Sequence, residues 1–203
     1  MEINIENAKK ALETADEGVK KVLLALLPEL KEAQTEAQTE AQTAANRPIT
    51  ERVKTFEDAC RVLGEDHPFV LAYKNTNLRD PEVAEENRDI LAYMKLRIIA
   101  AALNEGWEPQ FTDDEWRWYP WFTIWAKREL SNKSDEWKAR KGLIPIGDYS
   151  EDCAGFSFAF SDYITSSTSV GVGSRLCFRR KVLANYCGKQ FAGIWADFYL
   201  IKK

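Results

Sequence analysis

Residues 116–125 read WRWYPWFTIW, and whether this stretch is a packed strand or an open aromatic platform decides both the fold and the candidate contact surface. In an extended chain, successive side chains point to opposite faces. Trp116 and Trp118 then share one face, with Arg117 and Tyr119 on the other. Pro120 lacks the N–H that a sheet ladder uses, so it requires an edge position or a bulge. Beyond it Trp121, Thr123 and Trp125 lie opposite Phe122 and Ile124, and large rings stand on both faces. One face can bury against a helix, whereas a small sheet offers few covers for the other. Trp and Tyr also fill partly wet cores, and the 126–154 segment is long enough to fold over a sheet. The stretch reads as mostly core with an exposed rim. Trp116, Arg117, Trp118, Tyr119 and Trp121 are its candidate contact residues.

Upstream of this strand the pattern is helical. KTFEDACRVLG at 54–64 offers Thr55 as N-cap, Glu57 and Asp58 in the first turn and Gly64 past the end. In DPEVAEENRDILAYMKLRIIAAALNEG at 80–106, Asp80 is the expected cap, Pro81 takes the first helical position and Gly106 lies beyond the C-terminus. Leu91, Met94, Ile98 and Ala102 line one face, with Ile99 and Leu103 beside it, which predicts a central helix. Downstream, GFSFAF at 155–160 and SRLCF at 174–178 read as further strands. A closing helix at 181–201 places Leu183, Cys187, Phe191, Ile194, Trp195 and Phe198 on one stripe, despite Gly188 and Gly193. The expected fold class is α+β, a small antiparallel sheet packed against helices, with a separate N-terminal amphipathic helix.

That N-terminal helix is expected over 1–28, since Ala8, Ala11, Leu12, Ala15, Val19, Val22, Leu23, Leu26 and Leu27 recur at three- and four-residue steps up to Pro28. The tetrapeptide EAQT follows, written three times. Residues four apart advance about 400° on an α-helix, so the alanine row drifts around the cylinder and forms no coiled-coil seam. The expected organisation is helix 1–28, linker 29–47 and an α+β globular domain over 48–203.

The chain has 203 residues, a formal charge of -4 and a pI near 5.3. An acidic mean field disfavours general binding of a phosphate backbone, so nucleic acid is not an expected partner. No apolar stretch approaches the length of a membrane span, and the expected location is cytoplasmic or virion-associated. Four cysteines, Cys60, Cys153, Cys177 and Cys187, stand far apart with no C-x-x-C pair, so they read as small buried hydrophobes.

Chemical signatures are sparse. Asp113, Asp114, Glu115, Glu151 and Asp152 lack the spacing of a calcium loop, and His67, the single histidine, precedes a proline without a nucleophile signature nearby. No catalytic residue, metal ligand or cofactor is assigned. The segment SSTSVGVGSR at 166–175 combines hydroxyls, Gly171, Gly173, Ser174 and Arg175, a composition able to form a backbone N–H nest for an anion. It lacks phosphate-loop order. Arg179, Arg180 and Lys181 add positive charge beside it, making Ser174, Arg175 and Arg179 candidate binding residues.

ENAKKALETAD (6–16), RVKTFEDACRVLG (52–64), LRIIAAALNEGW (96–107), EWRWYPWF (115–122) and VGSRLCF with LANYCGKQF (172–191) together resemble a family of uncharacterised proteins of gut Bacteroidales genomes, prophages and phages. The resemblance spans nearly the whole chain. The threefold EAQT repeat departs from it, since the family's spacer before the KTFEDAC block is shorter. What it implies is a setting among virion components, host-interaction modules or inhibitors of host defence, with no activity or cofactor to carry across.

The function expected from these features is a non-enzymatic interaction protein of phage or prophage type, using the aromatic rim and the basic loop. The alternative is a nucleotide- or phosphate-binding protein or enzyme built on the 171–175 loop, with Asp114 or Asp152 as base. The partner is a protein or a small anionic ligand, and the N-terminal helix offers a route to homo-oligomers.

Overall fold

The computed structural model describes residues 5–27, 31–32, 42–43, 46–110, 112, 114–146, 152–164 and 174–200. The chain divides into two compact units, Met1–Pro48 and Ile49–Lys203.

The first unit carries α1 (Ile5–Thr14) and α2 (Glu17–Leu26), so the single helix expected over 1–28 is broken. Asp16 causes the break. Its carboxylate accepts the Val19 N–H at 2.9 Å from an extended backbone, and a residue in that N-cap geometry starts a helix instead of continuing one. The apolar stripe finds little cover, since no residue of α2 is buried and Val19, Val22 and Leu26 are exposed. The 29–47 linker falls mostly outside the described residues.

The second unit is α+β. Its helices α3 (Ile49–Arg52), α4 (Phe56–Leu63), α5 (Pro68–Asn75) and α6 (Arg88–Asn104) precede β1 (Arg117–Ala126). Then come α7 (Lys127–Leu130), α8 (Asp135–Lys141), β2 (Ile144–Pro145), β3 (Cys153–Ile164), α9 (Lys181–Gln190) and α10 (Ala192–Tyr199). The three strands form one antiparallel sheet in the order β1-β3-β2.

Local chemistry sets several helix ends. Thr55 and Asp58 close a reciprocal capping box on α4, and Gly64 ends it at φ 95°. His67 caps α5 through its Nδ1, which accepts the Phe69 N–H at 3.2 Å, with Pro68 in the first turn. The central helix starts later than its sequence pattern predicts. Asp80 does not cap it, because residues 81–87 form turns and α6 begins at Arg88. The Asn87 side chain bonds the Val83 carbonyl at 2.8 Å, a local alternative to helix that asparagine favours.

Burial on α6 is also wider than one stripe. Leu91 and Met94 are only half-buried, whereas Ala92, Leu96 and Ala100 join Ile98, Ile99, Ala102 and Leu103 in the core. The reason is contact from several sides, since α4, α5 and α10 all pack on it. Two further expectations change. SRLCF is a short 3-10 turn (Ser174–Leu176) followed by a single bridge of Phe178 to Trp118, not a strand. The closing helix is interrupted at Phe191, giving α9 and α10.

β1 lies at a sheet edge, one of the two placements, edge or bulge, that Pro120 allows. Trp118 turns its N–H and C=O outward to Phe178, at 2.9 Å each. Period two then puts Pro120 at the next outward position, where no N–H is needed for pairing with β3. The register slips opposite Trp121 and Phe122, with Ala159 as the additional residue on β3. On the helix-packed face, Phe122 meets Trp195 at 5.4 Å and Tyr199 at 5.8 Å between ring centroids. Gly188 of α9 lies directly against Phe158 and Pro120 there.

The opposite face is covered at one end by the 127–145 segment. Trp137 of α8 meets the Trp125 ring edge-on at 5.3 Å, and Leu130 and Leu143 press on Gly155. A side chain at Gly155 would lie 2.6 Å from Leu143, so only glycine lets this cover approach the strand. Ser157 accepts the Trp125 indole N–H at 2.8 Å, which satisfies the polar end of that ring.

Candidate functional site

Trp116 stands just before β1, and Tyr163 lies near the far end of β3. The antiparallel register pairs Trp118 with Tyr163 and so brings all three rings together. Trp116 stacks on Tyr163 with centroids 4.5 Å apart and planes 8° from parallel. Trp118 leans on both, at 6.3 Å and 5.3 Å. Trp116 is 53% and Tyr163 44% exposed, whereas Trp118 is half-buried and joins the core. The Lys181 ammonium lies 5.4 Å from the Trp118 centroid, so a cation borders the cluster. Lys181 reaches it because the Phe178 bridge carries the start of α9 alongside β1.

A second exposed pair follows along the strands. Trp121 and Phe160 face each other in register, stacked at 6.2 Å, at 45% and 54% exposure. By alternation they sit on the face opposite Trp118 and Phe122. The exposed rings thus form two small patches on different faces.

The remaining candidates are distributed differently. Arg117 is only 1% exposed, with Nε 3.9 Å from the Glu115 carboxylate, and Tyr119 is also buried. Alternation turns both away from the Trp118 cluster, toward Cys177. They contribute no open surface. Arg179 pairs with Glu105, which Arg52 also approaches at 3.6 Å, and its backbone N–H is held by Asn104. Arg175 is exposed in the 3-10 turn, and Ser174 begins that turn. Gly171 and Gly173, on which an anion nest depends, lie outside the described residues, as do Asp113 and Glu151.

Buried Asn104 was not expected as a structural residue. Its amide donates to the Cys177 carbonyl at 2.9 Å and accepts from the Arg179 N–H at 3.1 Å, tying the end of α6 to the segment that leads into α9. Nothing in a lone Asn after an apolar run signals this. Phe160 belongs to the alternation of GFSFAF, which by itself would put it on the face of Phe156 and Phe158, and Tyr163 falls outside that alternation. The additional Ala159 on β3 turns Phe160 to the other face. What singles them out is the register against Trp121 and Trp118.

The cysteines follow burial. Desolvation pushes the Cys177 and Cys187 thiols up to about 12, and burial also raises Cys60. Cys153 is half-buried. Reactivity follows the thiolate. With an aromatic disulfide reagent at about pH 8, Cys153 is expected to react first, at least ~100-fold faster than Cys187. Four equal rates would contradict this packing.

Among the described residues no group of His, Cys, Asp and Glu is placed to hold a metal ion, and no helix is long and apolar enough to cross a membrane. No protein-family model, curated protein or solved structure matches the chain.

Proposed function

We propose that the protein is a non-enzymatic interaction module that binds a protein partner through the Trp116, Trp118 and Tyr163 cluster, with Lys181 orienting the contact. The observation that carries this reading is the exposed Trp116–Tyr163 stack. Two large rings held against each other in water present a rigid apolar surface whose conformational entropy is already spent, the composition found at interaction hot spots. Packing from below by Trp118 fixes the pair, and Lys181 with nearby Arg180 favours an acidic rim on the partner.

The sequence resemblance favours a phage or prophage setting for this module, as a host-interaction, anti-defence or virion-associated protein acting inside the cell or on the particle. An anion-binding function has less support, because Arg179 is engaged by Glu105.

The 203-residue chain used as bait on extracts of a bacterial host is expected to retain a partner that Trp116→Ala and Tyr163→Ala lose. Titrating the purified partner should shift tryptophan emission and show at least ~10-fold weaker binding for either variant. Both side chains are half exposed, so the melting temperature should stay within about 3 °C of the parent. Equal retention by parent and variants would rule the cluster out as the contact.

A further inference from the structure

We propose that the outer edge of β1, along Phe122–Ile124, pairs with the same edge of a second copy of this chain, antiparallel about Thr123. Because Trp118 faces outward to Phe178, the even-numbered residues of β1 turn their backbone groups away from β3. Phe122 and Ile124 are the outward residues in the middle of the strand, and their outward groups bond no described residue. The donor row stops on either side. Pro120 has no N–H, and the Ala126 N–H is already taken by the Glu129 carboxylate at 2.8 Å.

A twofold axis through Thr123 makes these features match. Phe122 falls opposite the second copy's Ile124, so each donor meets an acceptor in both directions. Pro120 falls opposite the second copy's Ala126, where neither copy has a free donor to strand. An extended peptide of unrelated sequence could use the same donors, but it would not share this symmetric ending. Self-complementarity therefore favours the second copy over a foreign strand.

The side chains agree with this pairing. Ile124, 51% exposed at the edge, would lie beside the second copy's Phe122, and exposed Trp121 beside its Trp125. Aromatic and β-branched cross-strand pairs stabilise such contacts. From Trp118 to Ala126 the strand carries no charged residue, so nothing repels across the axis. Past Ala126, α7 turns back over its own sheet, where Leu130 meets Gly155.

Sedimentation velocity of the full chain tests this. Between about 5 and 500 μM the protein is expected to pass from monomer to dimer, with a dissociation constant on the order of 100 μM, as befits a contact smaller than a standard interface. Ile124→Lys should weaken dimerisation at least ~10-fold, whereas Val182→Lys, a control on the exposed flank of α9, should not. As a second measurement, Thr123→Cys should form a covalent dimer on mild oxidation, since facing residues at a non-hydrogen-bonded site lie about 4.5 Å apart between Cα atoms. A monomer throughout the range overturns the proposal. So does a dimer indifferent to Ile124→Lys, which would place the interface elsewhere, or pairing with foreign extended peptides alone.

Discussion

Replacing Trp195 by alanine is expected to lower the unfolding free energy by about 4 kcal/mol, the largest loss of any single truncation in the second unit. Trp195 is the largest fully buried side chain, and it joins the sheet to the closing helices. Its ring meets Phe122 of β1, lies parallel to Tyr199 at 5.6 Å and meets Phe198 edge-on at 6.1 Å. Phe198 in turn stacks on Tyr93 of α6 at 5.9 Å, so one indole links the sheet, α10 and the central helix. Its removal leaves a cavity that no single neighbour can fill, because those neighbours are held by different elements. Urea unfolding followed by circular dichroism measures the effect. A loss below about 1 kcal/mol would mean that α10 does not pack on β1 as described.

The second large effect concerns two glycines five residues apart that look alike in sequence. A Cβ at Gly188 would lie 2.4 Å from the Phe158 ring and 2.8 Å from the Pro120 Cβ, so α9 approaches the sheet as closely as it does only because no side chain intervenes. Gly188→Val is expected to cost about 3 kcal/mol through overpacking. At Gly193 a Cβ meets nothing within 4 Å. Gly193→Ala therefore gains helix propensity without a clash and should stabilise the protein by up to about 1 kcal/mol. Opposite signs at the two sites, read as melting temperatures of the single variants, identify helix-on-sheet packing as the cause. Destabilisation of similar size at both sites would refute that assignment.

Gly188 and Gly193 illustrate what was legible and what was not. Both appeared in the sequence as blemishes on one amphipathic stripe, and the stripe itself was correct for Leu183, Cys187, Phe191 and Trp195, which are all buried. Which glycine is indispensable depends on the strand beneath it. The aromatic stretch behaves similarly. Alternation, and the choice of edge or bulge for Pro120, followed from composition and backbone chemistry, whereas the edge itself and the burial of Arg117 and Tyr119 followed from residues far away in the chain. Helix starts at Thr55 and ends at Gly64 were legible because a cap is local, and Asp16 was missed because a helical stripe running through it concealed a cap of the same kind.

The sequence by itself determined the α+β class, a strand across the WRWYPWFTIW stretch and both ends of α4, because these depend on side-chain period and on hydrogen bonds spanning three or four residues. Tertiary structure alone decided that Tyr163 meets Trp116, that Trp121 meets Phe160, and that Asn104 secures the entry to α9. Those contacts join residues tens of positions apart. Their partners are selected by strand register and by packing of whole elements, and neither quantity is encoded in any short stretch of chain.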